Sequence, residues 1–442
     1  MHASPTHRKP NLQEDSKSIK PTHDNRFAQG GFRQQHCGKL RSSYLAWSGG
    51  ILITRVRVNN FRSIADVDIR LGPLTVLVGR NGAGKSAFLD VLRFVRDAMR
   101  SGLENSIVDR HGIASLRRWA PSKPYNVEIA ITVEERSFEG EYSFAIVSGK
   151  KGTYRVGREA CRVSRGASIE DAFEIRDGRW VTTPERYLRS GRKARPIEPS
   201  ALAFPIISAL SPHFSRMRHA LRGSFYHVFP NVLREPQKPS NEKVLTDNGE
   251  NFASVVRQMR RSEREFRDLV AALRRVADGV SDLRVREVGG YLLTELHHND
   301  LGPQGSRRKR PWFELAQESD GTLRILGILV ALYQSRLKHA ILGLEEPENA
   351  IHPGALAVIS EVIREAAHRN QILITTQSPD LISTLRINEL RVVERINGQT
   401  QIACVEEAQR QAIQEQLFLA GDLLRIEGLH GERPTFEAAQ GA

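Results

Sequence analysis

From Ile51 to Val58 apolar and polar side chains alternate, the two-residue period of a strand with one buried face. Asn59 to Ser63 reads as a turn, and Ala65 to Leu71 repeats the alternation. Leu74 to Val78 is a short apolar, β-branched run of the kind buried on both faces. The period then changes: Phe88, Leu89, Leu92, Val95 and Met99 recur at helical spacing between Ser86 and about Arg100. Alternating stretches at Val127–Val133, Tyr142–Val147 and Tyr154–Val156 predict an antiparallel sheet. Residues 185–250 show no readable period. Phe252 to Val276 reads as helix, Leu283 to Leu296 as a hairpin about Gly289-Gly290, and Ser306 to Lys309 as a basic turn. Beyond it, helices at Asp320–Leu337 and Gly354–Ala367 alternate with strands at Ala340–Leu344, Ile372–Thr375 and Leu390–Arg395. That alternation predicts an α/β fold with a mostly parallel sheet. No heptad run is long enough for a coiled-coil arm.

The chemistry begins where the third strand ends. Gly79-Arg80-Asn81-Gly82-Ala83-Gly84-Lys85-Ser86 fits GxxxxGK[ST] between a buried strand and a helix, the setting of a phosphate-binding loop. Glycines let backbone N–H groups curl around phosphate, and the helix N-terminus adds partial positive charge. Lys85 is placed to reach the β- and γ-phosphates of ATP, and Ser86 to bind Mg2+ through its hydroxyl. Hydrolysis needs carboxylates as well. Ile341-Leu342-Gly343-Leu344-Glu345-Glu346-Pro347 sets two at the carboxyl end of a strand, where open α/β sheets bind ligands. Neighbouring strand residues face opposite ways, so the two have different roles. Glu345 is assigned to the magnesium shell and Glu346 to the attacking water. Ser319-Asp320-Gly321 opens a helix, where capping alone accounts for Ser319 or Asp320. Gln377 ends the strand at Ile372 within reach of a γ-phosphate or its water, or in ordinary turn chemistry.

Taken together, these residues resemble the ABC-type ATPase heads of the RecF, SMC and OLD-like group. Val58-Asn59-Asn60-Phe61-Arg62-Ser63 is similar to that group's opening strand and turn, and Gly79 to Ser86 to its Walker A. Ser319-Asp320-Gly321-Thr322 resembles its signature, Leu344 to Pro353 its Walker B and D-loop, and Thr376-Gln377-Ser378-Pro379 its switch. The resemblance implies a P-loop NTPase, an ABC-type head with inserted β-rich and helical lobes. It places Arg62 beside the nucleotide. It also implies an ATP-dependent homodimer, in which Ser319, Asp320 and Gly321 of one subunit contact the γ-phosphate held by Lys85 of the other. Two positions depart from the pattern. Gln377 stands where the group has histidine, and no glutamine between Ser86 and Tyr142 supplies a Q-loop. OLD-like nucleases carry a TOPRIM domain after the ATPase. About 60 residues follow Pro379, fewer than that domain needs, which predicts no nuclease activity here. A separately encoded nuclease or effector remains open as a partner.

The expected organisation is a disordered basic arm at 1–50, the first part of the head with Walker A and a β lobe at 51–180, and a mainly helical insert at 181–300. The signature, Walker B and switch follow at 301–400, and a tail at 401–442. The net charge of +14 and pI of about 9.9 fit either a solvated basic surface or a polyanionic partner. Arg257, Arg260, Arg261 and Arg264, with Arg307-Arg308-Lys309-Arg310, are candidate DNA contacts or simply solvated faces. Cys37, Cys161 and Cys404 form no CxxC or Cys/His cluster, which argues against a disulfide framework or zinc site. No apolar run approaches the roughly 18 residues of a membrane span, and the polar N-terminus is unlike a signal peptide. A cytoplasmic protein is expected. Three functions compete: an ATPase acting on DNA in repair, recombination or defence against foreign DNA, an ATP-sensing switch for a separate effector, and a transporter ATPase. The long insert disfavours the last.

Overall fold

The computed structural model describes residues 50–119, 125–136, 138–149, 152–184, 196–277, 279–299, 312–334 and 341–432. All belong to one compact unit spanning Gln35–Ala442. Residues 1–49 of the expected basic arm, and the basic run Ser306–Arg310, lie outside the described residues.

Strands β1 (Leu52–Phe61) and β2 (Ile64–Arg70) form a hairpin, and β3 (Leu74–Val78) leads to helix α1 (Lys85–Ser101). An antiparallel meander follows: β4 (Val127–Glu135), β5 (Phe138–Ser148), β6 (Tyr154–Arg165), β7 (Ser168–Arg176) and β8 (Arg179–Thr182). Next come α2 (Pro212–Ala220), β9 (Ser224–Tyr226), α3 (Pro230–Arg234), α4 (Phe252–Met259) and α5 (Glu263–Val276). A hairpin of β10 (Val280–Val288) and β11 (Tyr291–His298) pairs with β12 (Trp312–Glu314). The chain then runs through α6 (Asp320–Tyr333), β13 (Ile341–Glu345), α7 (Pro353–Ala367), β14 (Gln371–Thr376), α8 (Pro379–Ser383), β15 (Leu390–Ile396) and β16 (Gln399–Ala403).

Among the described residues, one sheet of 13 strands has the order β8-β7-β6-β5-β4-β1-β2-β16-β15-β3-β14-β13-β9. Its β15-β3-β14-β13-β9 end is parallel throughout, so the carboxyl ends of β3, β14, β13 and β9 share one edge. Side chains alternate between two hydrophobic layers. Leu77 and Leu373 face α1 and the meander, while Val76, Leu344 and Ile374 face α6 and α7.

The meander strands are longer than their sequence pattern suggested. They join the head's sheet through β4 and β1, so lobe and head share one sheet. β1 continues through the expected turn to Phe61, which is fully buried. The helix expected from Phe252 to Val276 breaks in two. Ser262 is extended and restarts the chain as α5, with Glu263 and Glu265 in a first turn that favours negative charge. Helix α6 stops at Tyr333, short of the expected Leu337. β9 and β16 were not anticipated. Arg257 pairs with Glu287 at 3.0 Å and Arg260 lies over the Phe266 ring. Cys161 is a buried thiol. Cys404 is half of a disulfide, contrary to the sequence expectation, since separation along the chain does not limit approach in space.

Glu159, 1% exposed, pins the helical turn Phe204–Ile207 to the meander. Its carboxylate accepts from Tyr142 Oη at 2.8 Å, Phe204 N at 2.9 Å and Ala203 N at 2.6 Å. Burial pushes its pKa up to about 7 against the pull of those three donors. The folded chain therefore holds this proton more tightly than the unfolded chain. That stability is fully present below the ordinary value of 4.5 and is lost as pH rises through about 7. Glu159→Gln turns an amide N–H toward a donor and should cost about 1–3 kcal/mol. The gap in Tm between wild type and variant should shrink from pH 5 to pH 7.5. A gap that is constant with pH would contradict the shifted carboxyl.

Candidate active site

The loop between β3 and α1 is braced from the side. Gly84 has φ +112, and a Cβ there would lie 2.1 Å from Thr400 Oγ1 on β16. Thr400 Oγ1 in turn donates to Ala83 O at 2.9 Å and lies 2.8 Å from Ser63 Oγ, tying the loop to the β1–β2 turn. Lys85, first residue of α1, is buried, and its ammonium donates to Gly79 O at 2.7 Å and Arg80 O at 3.2 Å. Burial lowers its pKa, opposed by the charges of Glu346 and Glu348. Arg80, Asn81, Gly82 and Ser86 are exposed, and Ala83 is buried. Nothing lies within 4 Å of where a Gly82 Cβ would stand.

β13 is separated from β3 by β14 alone and ends at Glu345. Glu345 Oε1 accepts from Arg93 Nη1 of α1 at 2.8 Å, and Oε2 lies 3.1 Å from His227 Nδ1, just past β9. Burial alone would raise this carboxyl. The His227 hydrogen bond and the Arg93 charge outweigh it and hold the group below the ordinary carboxylate range. Glu346 has φ +43, its N–H donates to Thr375 O at 2.9 Å, and its Oε2 accepts from Asn349 Nδ2 at 2.9 Å. A third carboxylate, Glu348, is buried. Its Oε1 accepts from Thr376 Oγ1 at 2.5 Å and Gln377 N at 3.3 Å, and its Oε2 has no partner. Burial raises its pKa despite those bonds, and the Glu346 charge adds to the rise.

Ser319 caps α6, accepting from Thr322 N at 3.2 Å. Asp320 is exposed and pairs with Arg234 of α3 at 2.5 Å. Gly321 packs so closely on the loop after β13 that a Cβ would stand 2.7 Å from Ala350 O. Arg324, one turn into α6, is buried, and its Nε lacks a partner. Burial lowers its pKa against the charges of Glu348, Asp320 and Glu346. Arg62 has φ +49 and pairs with Asp90 of α1 at 2.8 Å, so its guanidinium is engaged on the flank of the loop helix. Gln377 is exposed and touches the cluster through its backbone N–H.

A family model described as "AAA domain, putative AbiEii toxin, Type IV TA system" matches residues 74–383, from the first residue of β3 to the end of α8. The chain belongs to this AAA family. It is 23% identical over 363 residues to the OLD nuclease of Thermus scotoductus, covering 78% of this chain and 62% of that protein. The chain thus spans less than two thirds of that relative's length. Solved structures with a loosely similar outline include the Smc head domain with an extended coiled coil, bound to the C-terminal domain of ScpA from Pyrococcus furiosus. It is 13% identical with TM-score 0.48, covering 83% of this chain and 99% of that one. The SMC head domain from Thermotoga maritima is also 13% identical, with TM-score 0.42, covering 80% and 99%.

In this AAA-family chain the strand-loop-helix of the Walker A and the carboxylates at and just after the end of β13 lie at one sheet edge. Sequence reasoning missed Arg93, His227, Glu348 and Arg324. Arg93 lies two turns along α1 from Lys85, which matters only once α1 is known to pass β13. His227 lies in the stretch without a period. Glu348 and Arg324 stood inside quoted or adjoining motifs, but their burial does not show in sequence.

Proposed function

We infer that this chain binds ATP with magnesium and hydrolyses it as an ATP-dependent head dimer that acts on DNA. The observation that carries the reading is the buried Lys85 ammonium, within reach of the charges of Glu346 and Glu348, at the edge where β3, β14 and the Glu345-ending β13 share their carboxyl ends. The residues fit the ligand. Lys85 is a desolvated cation held by loop carbonyls, which β- and γ-phosphate oxygens can replace as acceptors. Ser86 presents an exposed hydroxyl. Among the described residues no three His, Cys, Asp or Glu side chains cluster to hold a metal unaided, so phosphate oxygens and water would complete a magnesium shell. Ser86 and Glu345 would hold the ion, which when bound neutralises charge on the phosphates. Glu346, with Asn349 fixing one of its oxygens, orients and deprotonates the attacking water. Arg93 and His227 are positioning residues that hold Glu345. In the dimer, Ser319, Asp320 and Gly321 reach the partner's γ-phosphate. The basic charge of the chain supports DNA as the polymer acted on.

The test is ATP turnover by the purified chain with and without duplex DNA, beside Lys85→Ala. Turnover that DNA stimulates, with ATP binding lost in the variant, supports the reading. Tight ATP binding with no turnover would favour a second reading, a switch that recruits or restrains an effector. Two observations speak for that switch: both Glu345 oxygens are engaged, and Gln377 offers no positive charge where the resembling group has histidine. No helix among the described residues is long and apolar enough to cross a membrane.

A further inference from the structure

The geometry points to a second anion site, remote from the nucleotide loop, that takes the backbone phosphates of a DNA strand. It rests on the reading that the ATPase acts on DNA, and it names the surface that does so. A cavity of about 700 Å³ opens where α1 ends and β9 begins, lined by Arg96, Met99, Arg100, Arg218, Arg222 and Lys243 among others. Gly223 and Ser224, at the amino end of β9, form part of its wall. The nucleotide loops follow the carboxyl ends of the strands, so the two sites lie at opposite edges of the sheet. Helix α1 joins them; its 17 residues span about 25 Å.

The charge at this cavity is largely uncompensated. Arg96 is neutralised by Asp247 through two bonds of 2.7 and 2.8 Å. Arg100 meets Glu242 only at 3.5 Å, with both side chains exposed to screening solvent. Arg218, Arg222 and Lys243 have no carboxylate partner among the described residues. Arg218 Nη2 donates to Met99 O at 3.2 Å, while its Nε is buried without an acceptor. Burial and the neighbouring Arg222 charge hold this guanidinium below its usual pKa, a cost that a bound anion would relieve.

The form of the site favours a polymer over a lone phosphate. The cavity sits at the carboxyl ends of α1 and α2, whose partial negative charge opposes any anion, so binding must rest on the side-chain cations and on several contacts at once. It lacks the backbone N–H cradle that the Walker A loop gives a single phosphate. Arg100, Arg222 and Lys243 are exposed, suited to several phosphates of an extended strand. A short chain of bonds links the site to Glu345. Asp247 holds Arg96 with its carboxylate, and its carbonyl accepts from His227 N at 3.0 Å. His227 is the residue that clamps Glu345. A strand bound here would meet a wall two links from that carboxylate.

The test is fluorescence anisotropy of a labelled random-sequence duplex with the full chain, from 50 to 200 mM salt. Wild type is compared with Arg222→Gln/Lys243→Gln and with Arg162→Gln/Arg165→Gln on β6, far along the sheet from β9, an equal change of charge elsewhere. The cavity pair should weaken binding about tenfold and lower the salt slope by about 2, and the β6 pair should do neither. All these positions are exposed, so the variants should fold. DNA binding by wild type that both pairs weaken equally, or neither weakens, would overturn this site and leave the DNA-acting ATPase standing. No DNA binding by wild type would overturn both. A calorimetric titration with pyrophosphate separates the remaining source: heat lost in the cavity variant, with no DNA bound, would mark a free-phosphate site and reject the strand.

Discussion

Glu346→Gln should lower ATP turnover by about 10²–10⁴-fold, the usual contribution of a general base, while ATP binding is retained. Glutamine keeps the size of the side chain and an oxygen for Asn349 Nδ2, 2.9 Å away in the wild type. It removes the proton acceptor. Lys85 would lose part of the opposing charge that sustains its ammonium, but its bonds to Gly79 O and Arg80 O do not pass through Glu346. Binding and chemistry should therefore separate. On the proposed mechanism, in which ATP closes the dimer and hydrolysis releases it, the variant should also accumulate ATP-dependent dimers, visible by gel filtration with light scattering. Turnover that survives the substitution would reject Glu346 as the base. Glu348 would then be examined next, because it is buried beside Thr376, carries a raised pKa and has one oxygen without a partner.

The parts of this site legible in sequence are those whose local chain geometry and chemistry coincide. Lys85 and Ser86 begin a helix because glycines precede them and apolar residues follow at helical spacing. Glu345 ends a strand because four residues before it are apolar and Pro347 soon follows. What sequence could not show depends on neighbours distant along the chain. β9 is three residues long, too short for any period to register, yet it sets His227 beside Glu345 by pairing with β13 in parallel. Thr400 reads as an ordinary strand residue, and only the sheet order brings β16 against the loop. Arg62 belongs to the opening motif, but its ion pair with Asp90 needed the turn to fold back over α1. Glu348 and Arg324 look like surface charges in sequence. Their burial follows from the close approach of Gly321 to Ala350, a contact that only glycine permits at this distance.

Gly84→Ala should abolish detectable ATP binding in calorimetry and lower Tm by several degrees, for two separable reasons. The first is conformational: at φ +112 a side chain is strained by about 1–3 kcal/mol. The second is steric. The new Cβ would stand 2.1 Å from Thr400 Oγ1, 2.6 Å from its Cγ2 and 2.8 Å from its Cβ, so loop or strand must move, at about 1–3 kcal/mol. Movement of the loop displaces the N-terminal amides of α1, which is why nucleotide binding fails along with stability. Thr400→Gly removes the colliding atoms. It also removes the bonds to Ala83 O and Ser63 Oγ, so it costs stability by itself. In the double variant the steric part should vanish and the strain remain. The two substitutions should then couple favourably, the double variant losing less than the sum of the singles by about 1–3 kcal/mol. Strict additivity would show that the loop escapes Thr400 by another route, and normal ATP binding by Gly84→Ala would show that its conformation is not fixed by this contact.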